Sequence, residues 1–404
     1  MFSLDRILSR STTAIFDKNR RFPPLSRRQL IRGVLATGAF AATSRLGTGC
    51  TSASEQDQSN QPIKMGFIYA GSTDDYGYNQ AHAEGQEDLS QLEGIETVEQ
   101  ANVPETTAVQ EAMRDMIELD GVRVLFPTSF GYYDPHILKV AQEYPEVQFF
   151  HCGGLYQEGD PENVGSYFGY IHQAEYVAGI VAGHTSKTGK LGFVAAKPIP
   201  QILRDINSFT LAARSVNPEI QTQVIFTGGW ALPVKEAEAA NSLIDQGADI
   251  LTCNVDNPKV VIETAEKRGV FCSGYHTNQA ALAPDFYLTG AEWDWTSVYT
   301  DYAEKIKAGE TLRDGGIPHM VRGGVKAGFV ELSPYGSMVS EKAKEDAEVA
   351  TAKLLNDNMV IYQGKIKSNQ GKVVIPEGKK YQQDATKLEK MDWLVQGVMG
   401  STTS

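Results

Sequence analysis

An α/β protein of two doubly wound parallel-sheet lobes, joined by a multi-crossing hinge, is the fold class this 404-residue sequence predicts. Two observations predict it. From Lys64 onward, short apolar runs alternate with helix-patterned segments, and the rhythm pauses near Tyr167 and restarts near Gln173. Alternation of this kind lays strands parallel, with helices on both faces of each sheet. About 340 residues beyond the N-terminal segment suffice for two domains of ordinary size.

The elements justify themselves in order. Met65–Ala70 is apolar and closed by Gly71, as a strand buried on both faces should be. A helix is expected from Tyr78 to Leu92, then strand Glu96–Ala101, helix Thr106–Glu118, strand Arg123–Pro127, helix Pro135–Glu143 and strand Val147–Cys152. Tyr167–Tyr170 reads as the first crossing between lobes. The second lobe then follows as helix Gln173–Thr185, strand Leu191–Ala195, helix Pro200–Val216, strand Gln223–Thr227, helix Pro233–Gln246, strand Asp249–Asn254, helix Pro258–Arg268 and strand Val270–Gly274. Leu288–Ala291 reads as a second crossing and Gly323–Glu331 as a third, with helix Trp295–Ala308 on the first lobe and helix Ser340–Asn356 on the second. The expected division is 63–168 with 291–322 as one lobe, 169–290 with 323–385 as the other, and 386–404 as a C-terminal tail.

Residues 1–49 do not look like the start of a domain. Arg27-Arg28 precede a mild Gly/Ala-rich apolar run and then Leu46-Gly47-Thr48-Gly49-Cys50. Paired arginines before a modest apolar segment mark a twin-arginine export signal. Cys50 after small residues is where a lipoprotein would be cut and lipidated, although Gly47 occupies the position where Leu is usual. Thr51–Pro62, rich in Ser, Gln, Asp and Asn, reads as a flexible spacer, so 50–62 is expected to be anchor and linker. The expectation is an exported protein held at a membrane face by lipid.

The net charge is −13; the first 49 residues carry +7, which leaves −20 on the rest. A body that acidic avoids nucleic acid and anionic lipid. Cys152, Cys253 and Cys272 remain beyond Cys50. An odd number is no disulfide framework, and their apolar, strand-like settings point to buried free thiols, with a Cys253–Cys272 bridge as the alternative. No Cys/His cluster has zinc spacing, and no cofactor or metal is expected.

In open parallel sheets, ligands bind beyond the carboxyl ends of the strands. The loops there hold Tyr76, Tyr78, Asn79, Phe130, Tyr132, Tyr133, Trp230, Asp256, Asn257, Tyr275 and His276. Aromatic faces with a few amide and carboxylate groups suit a flat heteroaromatic ligand. Each has a plainer use: Tyr78 could pack on its sheet, and Asn79 and Asp256 could cap helices.

Several stretches resemble the basic-membrane-protein family of ABC transporter substrate-binding lipoproteins. They include Asp75-Tyr76-Gly77-Tyr78-Asn79-Gln80-Ala81-His82, Thr128-Ser129-Phe130-Gly131-Tyr132, Gly192-Phe193-Val194-Ala195-Ala196, Ile206-Asn207-Ser208-Phe209-Thr210 and Trp293-Asp294-Trp295. The resemblance runs from about Lys64 to Gly309. It implies a type I periplasmic-binding-protein fold, and a purine ligand delivered to an ABC permease. It also implies rings that clamp the base and Asn or Asp groups that bond its edge. By position these are Tyr78, Phe130 and Trp230 for the rings and Asn79 and Asp256 for the edge, with His276 and Trp293 completing the candidate set.

One departure bears on the ligand. Nucleoside-binding members carry Gly-Val-Asp-x-Asp where this chain reads Gly274-Tyr275-His276-Thr277-Asn278. A carboxylate is the usual acceptor for paired sugar hydroxyls, and neither His nor Asn replaces it. The sequence therefore favours a free nucleobase such as adenine over a nucleoside. A membrane-tethered purine sensor is the main alternative. An exported nucleoside hydrolase is disfavoured, because no nucleophile elbow, phosphate loop or Gly-x-Gly-x-x-Gly is present.

Overall fold

The computed structural model describes residues 61–402. The export signal, Cys50 and nearly all of the linker lie outside the described residues. The first lobe opens with β1 (Ile63–Ile68), α1 (Tyr78–Leu89), β2 (Ile95–Gln100), α2 (Ala108–Glu118), β3 (Val124–Pro127), α3 (Leu138–Glu143), β4 (Gln148–Cys152) and β5 (Val164–Gly169). The chain then crosses into α4 (His172–Thr185), β6 (Lys190–Ala195), α5 (Pro200–Val216), β7 (Gln221–Phe226), α6 (Pro233–Asp245), β8 (Ile250–Asn254), α7 (Lys259–Arg268), β9 (Phe271–His276) and β10 (Tyr287–Trp293). It returns through α8 (Trp295–Lys307) and β11 (Met320–Gly323), and crosses again to β12 (Val330–Leu332) and α9 (Glu341–Leu355).

The two sheets have the strand orders β11-β5-β4-β3-β1-β2 and, for the second, β12-β10-β9-β8-β6-β7. Every pairing in the first is parallel; in the second only β12 runs antiparallel, against β10. Central strands β3, β4 and β8 are buried at every position, which is why apolar residues dominate them without a polar outward face.

The first lobe packs around stacked aromatics: Phe67 on Phe126 at 4.8 Å and Phe150 on Tyr302 at 4.2 Å between ring centroids. His82 stacks on Trp295 at 4.9 Å, and its Nδ1 lies 2.6 Å from the Tyr299 hydroxyl. Burial holds this imidazole neutral. In the second lobe α4 lies along α5, where Gly179 and Gly183 have no room for a Cβ against the α5 backbone.

Two expected limits shift. The boundary at residue 291 falls inside β10, whose residues through Trp293 stay paired in the second sheet. A strand that ends on Trp-Asp-Trp disguises its end, because Trp295 already begins α8, capped by the Asp294 carboxylate. The segment beyond 385 is not a loose tail. After four short strands, β13 (Tyr362–Gln363), β14 (Ile366–Lys367), β15 (Val373–Ile375) and β16 (Lys380–Tyr381), it forms α10 (Thr386–Glu389) and β17 (Val398–Met399). β17 pairs parallel with β7 and becomes the last strand of the second sheet. Leu388, Met391, Leu394 and Val395 are buried, and this packing, invisible in a Lys/Gln-rich stretch, orders the terminus.

All three described cysteines are free and buried. No helix among the described residues is long and apolar enough to cross a membrane.

Candidate functional site

The loops that follow β1, β3, β7 and β8 and the ends of β9 and β10 converge between the lobes on a narrow cavity of ≈ 40 Å³, below the ~300–1,000 Å³ range of small-molecule sites, so a ligand of purine size needs the walls to part. Six of the seven candidate residues line it: Tyr78 and Phe130 from the first lobe, and Trp230, Asp256, His276 and Trp293 from the second. Ser129, Cys152, Phe168, Gln201, Asn254 and Tyr275 complete the wall.

Asn79 is the exception. Its side chain turns away from the cavity, donates from Nδ2 to Asp75 (2.8 Å) and accepts the Gly71 N–H at Oδ1 (3.2 Å). Asp75 in turn accepts the N–H groups of Gly77, Asn79 and Gln80 at 2.8–3.2 Å, satisfying the open first turn of α1. Asn79 is thus a brace for the loop that carries Tyr78. Asn at a helix start reads the same way whether it meets ligand or loop.

Phe130 is 54% exposed at the cavity mouth. Its loop is pinned by Glu105, which accepts from Ser129 Oγ (2.6 Å) and Gly131 N–H (2.9 Å). Trp230 faces it across the cleft, with 6.4 Å between ring centroids and 54° between planes. Two stacked contacts at ~3.5 Å each need about 7 Å, slightly more than the present separation of these rings. The Lys197 ammonium lies 4.8 Å from the Trp230 ring centroid, a cation–π contact.

His276 adopts φ 79°, a left-handed conformation uncommon outside glycine. Its two nitrogens are both engaged: Trp293 Nε1–H donates to Nδ1 (2.8 Å), and Nε2 bonds the Val255 carbonyl (3.1 Å). This pairing requires the neutral Nε2–H tautomer, and burial lowers the imidazole to about 3, in keeping with it. His276 therefore offers a ligand its ring face, not a charge. The Tyr78 hydroxyl is likewise spent on the Thr128 carbonyl (2.7 Å).

Asp256 is the acidic group of the wall. Burial pushes its carboxyl up to about 7, helped by Asp75, Glu105 and Glu236 and opposed by Lys197. Cys152 is pushed up to about 12 by burial and is no thiolate.

The lobes also touch directly. Tyr78 N–H donates to the Asp256 carbonyl (2.9 Å), and Gln279 Nε2 to the Tyr76 carbonyl (2.7 Å). Lys259 reaches over the Tyr76 ring at 5.4 Å. Gly77 sits at the closest approach: an added Cβ would collide with the Asp256 carbonyl and come within 2.8 Å of Pro258 Cδ. Here a glycine is needed for space.

Among wall residues outside the candidate set, Asn254 is an amide at the end of a largely apolar strand, a signal that the sequence does carry. Gln201 lies in the first turn of α5, just past the loop that follows β6. Phe168 and Cys152 lie inside β5 and at the end of β4, and nothing local distinguishes them from core.

Two α/β lobes closing on a small cavity, with strand-end loops from both as its walls, define a solute-binding protein of the periplasmic-binding-protein type. The chain belongs to the family of PnrA-like ABC transporter substrate-binding proteins, whose pattern matches residues 63–370. It is similar to a purine-binding protein of Brucella abortus, 33% identical over 340 residues that cover 84% of this chain and 93% of that relative. A relative in Haloferax volcanii, 32% identical over 307 residues and 75% of each chain, is described provisionally as an ABC transporter glucose-binding protein. Among solved structures, an ABC transporter solute-binding protein of Conexibacter woesei superposes with a TM-score of 0.61 at 24% identity, over 74% of this chain and 97% of that one, and shares the fold.

Proposed function

We propose that this protein captures a purine nucleobase, adenine the leading case, in the interlobe cavity and delivers it to the permease of an ABC uptake system. The carrying observation is convergence: aromatic faces from both lobes and one perturbed carboxyl share a single small cavity. A ligand that touches both lobes favours the closed form, and closure is the signal a permease can read. The protein binds and releases; it does not transform its ligand.

The preference for a base over a nucleoside rests on the stretch Gly274–Asn278. His276 stands where nucleoside-binding relatives carry an acid, and both of its nitrogens are already engaged within the protein. No carboxylate there is free to accept a pair of ribose hydroxyls. A purine-binding relative at 33% identity supports the ligand class. The twin-arginine segment and Cys50 support export and a lipid tether to the outer face of the membrane, with 51–62 as the leash.

Native mass spectrometry of protein purified from cells, followed by calorimetry with adenine, adenosine and glucose, tests this. A co-purifying purine base that binds tighter than its nucleoside is expected. Glucose binding alone would replace the purine reading with a sugar one, and a much tighter nucleoside would overturn the base preference.

A further inference from the structure

The side-chain donors around the cavity are almost all consumed by the protein itself. Asn254, the last residue of β8 and only 4% exposed, gives both amide protons away: one to Asp205 Oδ2 (2.7 Å), one to the Tyr275 hydroxyl (2.9 Å). The Tyr275 hydroxyl donates to the same Asp205 oxygen (3.2 Å). Ser129 donates to Glu105, Tyr78 to Thr128, Trp293 to His276 and His276 to Val255. What these side chains leave for a ligand are acceptors. The Asn254 amide is oriented by two acceptors behind it, so its Oδ1 is the atom left for the cavity. The donors left near the cavity are the Gln201 amide, which makes no bond within the protein, and the Lys197 ammonium over Trp230.

We infer that this acceptor-lined floor selects 6-aminopurines over 6-oxopurines, with Asp205 as the positioning residue that fixes the Asn254 amide. The inference rests on the purine reading above. An exocyclic NH2 brings the protons that Asn254 Oδ1 and the Asp256 carboxylate lack. An exocyclic oxygen brings lone pairs against lone pairs in a site nearly free of donors, and a buried polar mismatch of that kind is discriminated strongly. Asp205 itself never reaches the cavity: it lies on α5, 1% exposed, behind Asn254 and Tyr275.

The test is calorimetric titration with adenine and with hypoxanthine at pH 8, above the value of about 7 that Asp256 holds, so that its carboxyl is an acceptor. The intact protein is expected to bind adenine at least ~10-fold more tightly. Asp205→Asn can present an N–H2 to Asn254, which lets the amide turn its own donors toward the cavity. The adenine-to-hypoxanthine ratio should then fall ~10-fold or more, whatever happens to absolute affinity. Tyr275→Phe keeps the ring, removes one acceptor from the amide, and should lower the ratio in the same direction. Hypoxanthine binding as well as adenine, or a ratio unmoved in both variants, would overturn the inference while leaving purine capture intact. Failure of both bases to bind would overturn the purine reading itself, and the inference with it.

Discussion

Trp230 and Asn79 separate contact from support at the scale of single residues. Trp230 is half-buried and its ring forms one side of the cleft opposite Phe130. Trp230→Ala is expected to weaken ligand binding by ~10-fold or more, since base–aromatic stacking is worth about 1–3 kcal/mol, while the melting temperature stays nearly constant. Asn79→Ala should do the reverse. It leaves the Gly71 N–H without its partner and removes one of the two donors to Asp75 Oδ2, at a cost of about 1–3 kcal/mol in stability, with a smaller effect on affinity. Thermal melts and titrations on the two variants check both; a binding defect in Asn79→Ala as large as that of Trp230→Ala would return Asn79 to the cavity wall. The difference was hidden in the sequence because an Asn one residue into a helix has the same local signature in either role. Asp205 was hidden more deeply: nothing in an amphipathic helix marks one acid as facing inward.

The elements most exposed to a designed change are the loops after β1 and β8, which meet across the cleft. Tyr76-Gly77-Tyr78 is held against Asp256–Lys259 by a main-chain hydrogen bond, so part of the closed state comes from the protein alone. Gly77→Ala places a methyl group into the Asp256 carbonyl and is expected to hold the lobes apart. Small-angle scattering should give a larger radius of gyration, and ligand affinity should drop at least ~10-fold although Gly77 lines no part of the cavity. Unchanged scattering together with unchanged affinity would show that the two loops do not hold the lobes together. The strand and helix order was legible, because buried parallel strands announce themselves as short apolar runs ending in Gly, Pro or Asn. The end of β10 and the pairing of β17 were not, because both depend on which lobe a few residues pack against rather than on their own pattern.

Across the whole molecule, the buried ionisable groups set how stability varies with pH. Asp205, Asp256 and Glu292 are each pushed up to about 7, mainly by burial. The folded state holds protons there that the unfolded chain releases near pH ~4. Their contribution is complete below that pH and is lost as pH rises through about 7. His151 and His276, lowered to about 4 and about 3, act in the opposite sense: their contribution is present above pH ~6.5 and is lost as pH falls toward those values. The two sets oppose each other between pH ~4 and ~6.5, and above that only the acids remain in play. Scanning calorimetry should therefore find a higher melting temperature at pH 6.5 than at pH 8; an equal or higher value at pH 8 would contradict the assignment.

The way the tryptophans are distributed has an optical consequence. Of the four in the chain, Trp230 and Trp293 line the cavity and Trp295 stacks on Trp293 at 4.8 Å. Trp393, near the C-terminus, is the one left as a constant background. Any ligand entering the cleft, and any separation of the lobes, changes the surroundings of the indoles that dominate emission. The protein thus carries its own fluorescent gauge of occupancy, and quenching or a wavelength shift can be followed in unlabelled material on the timescale of the motion itself.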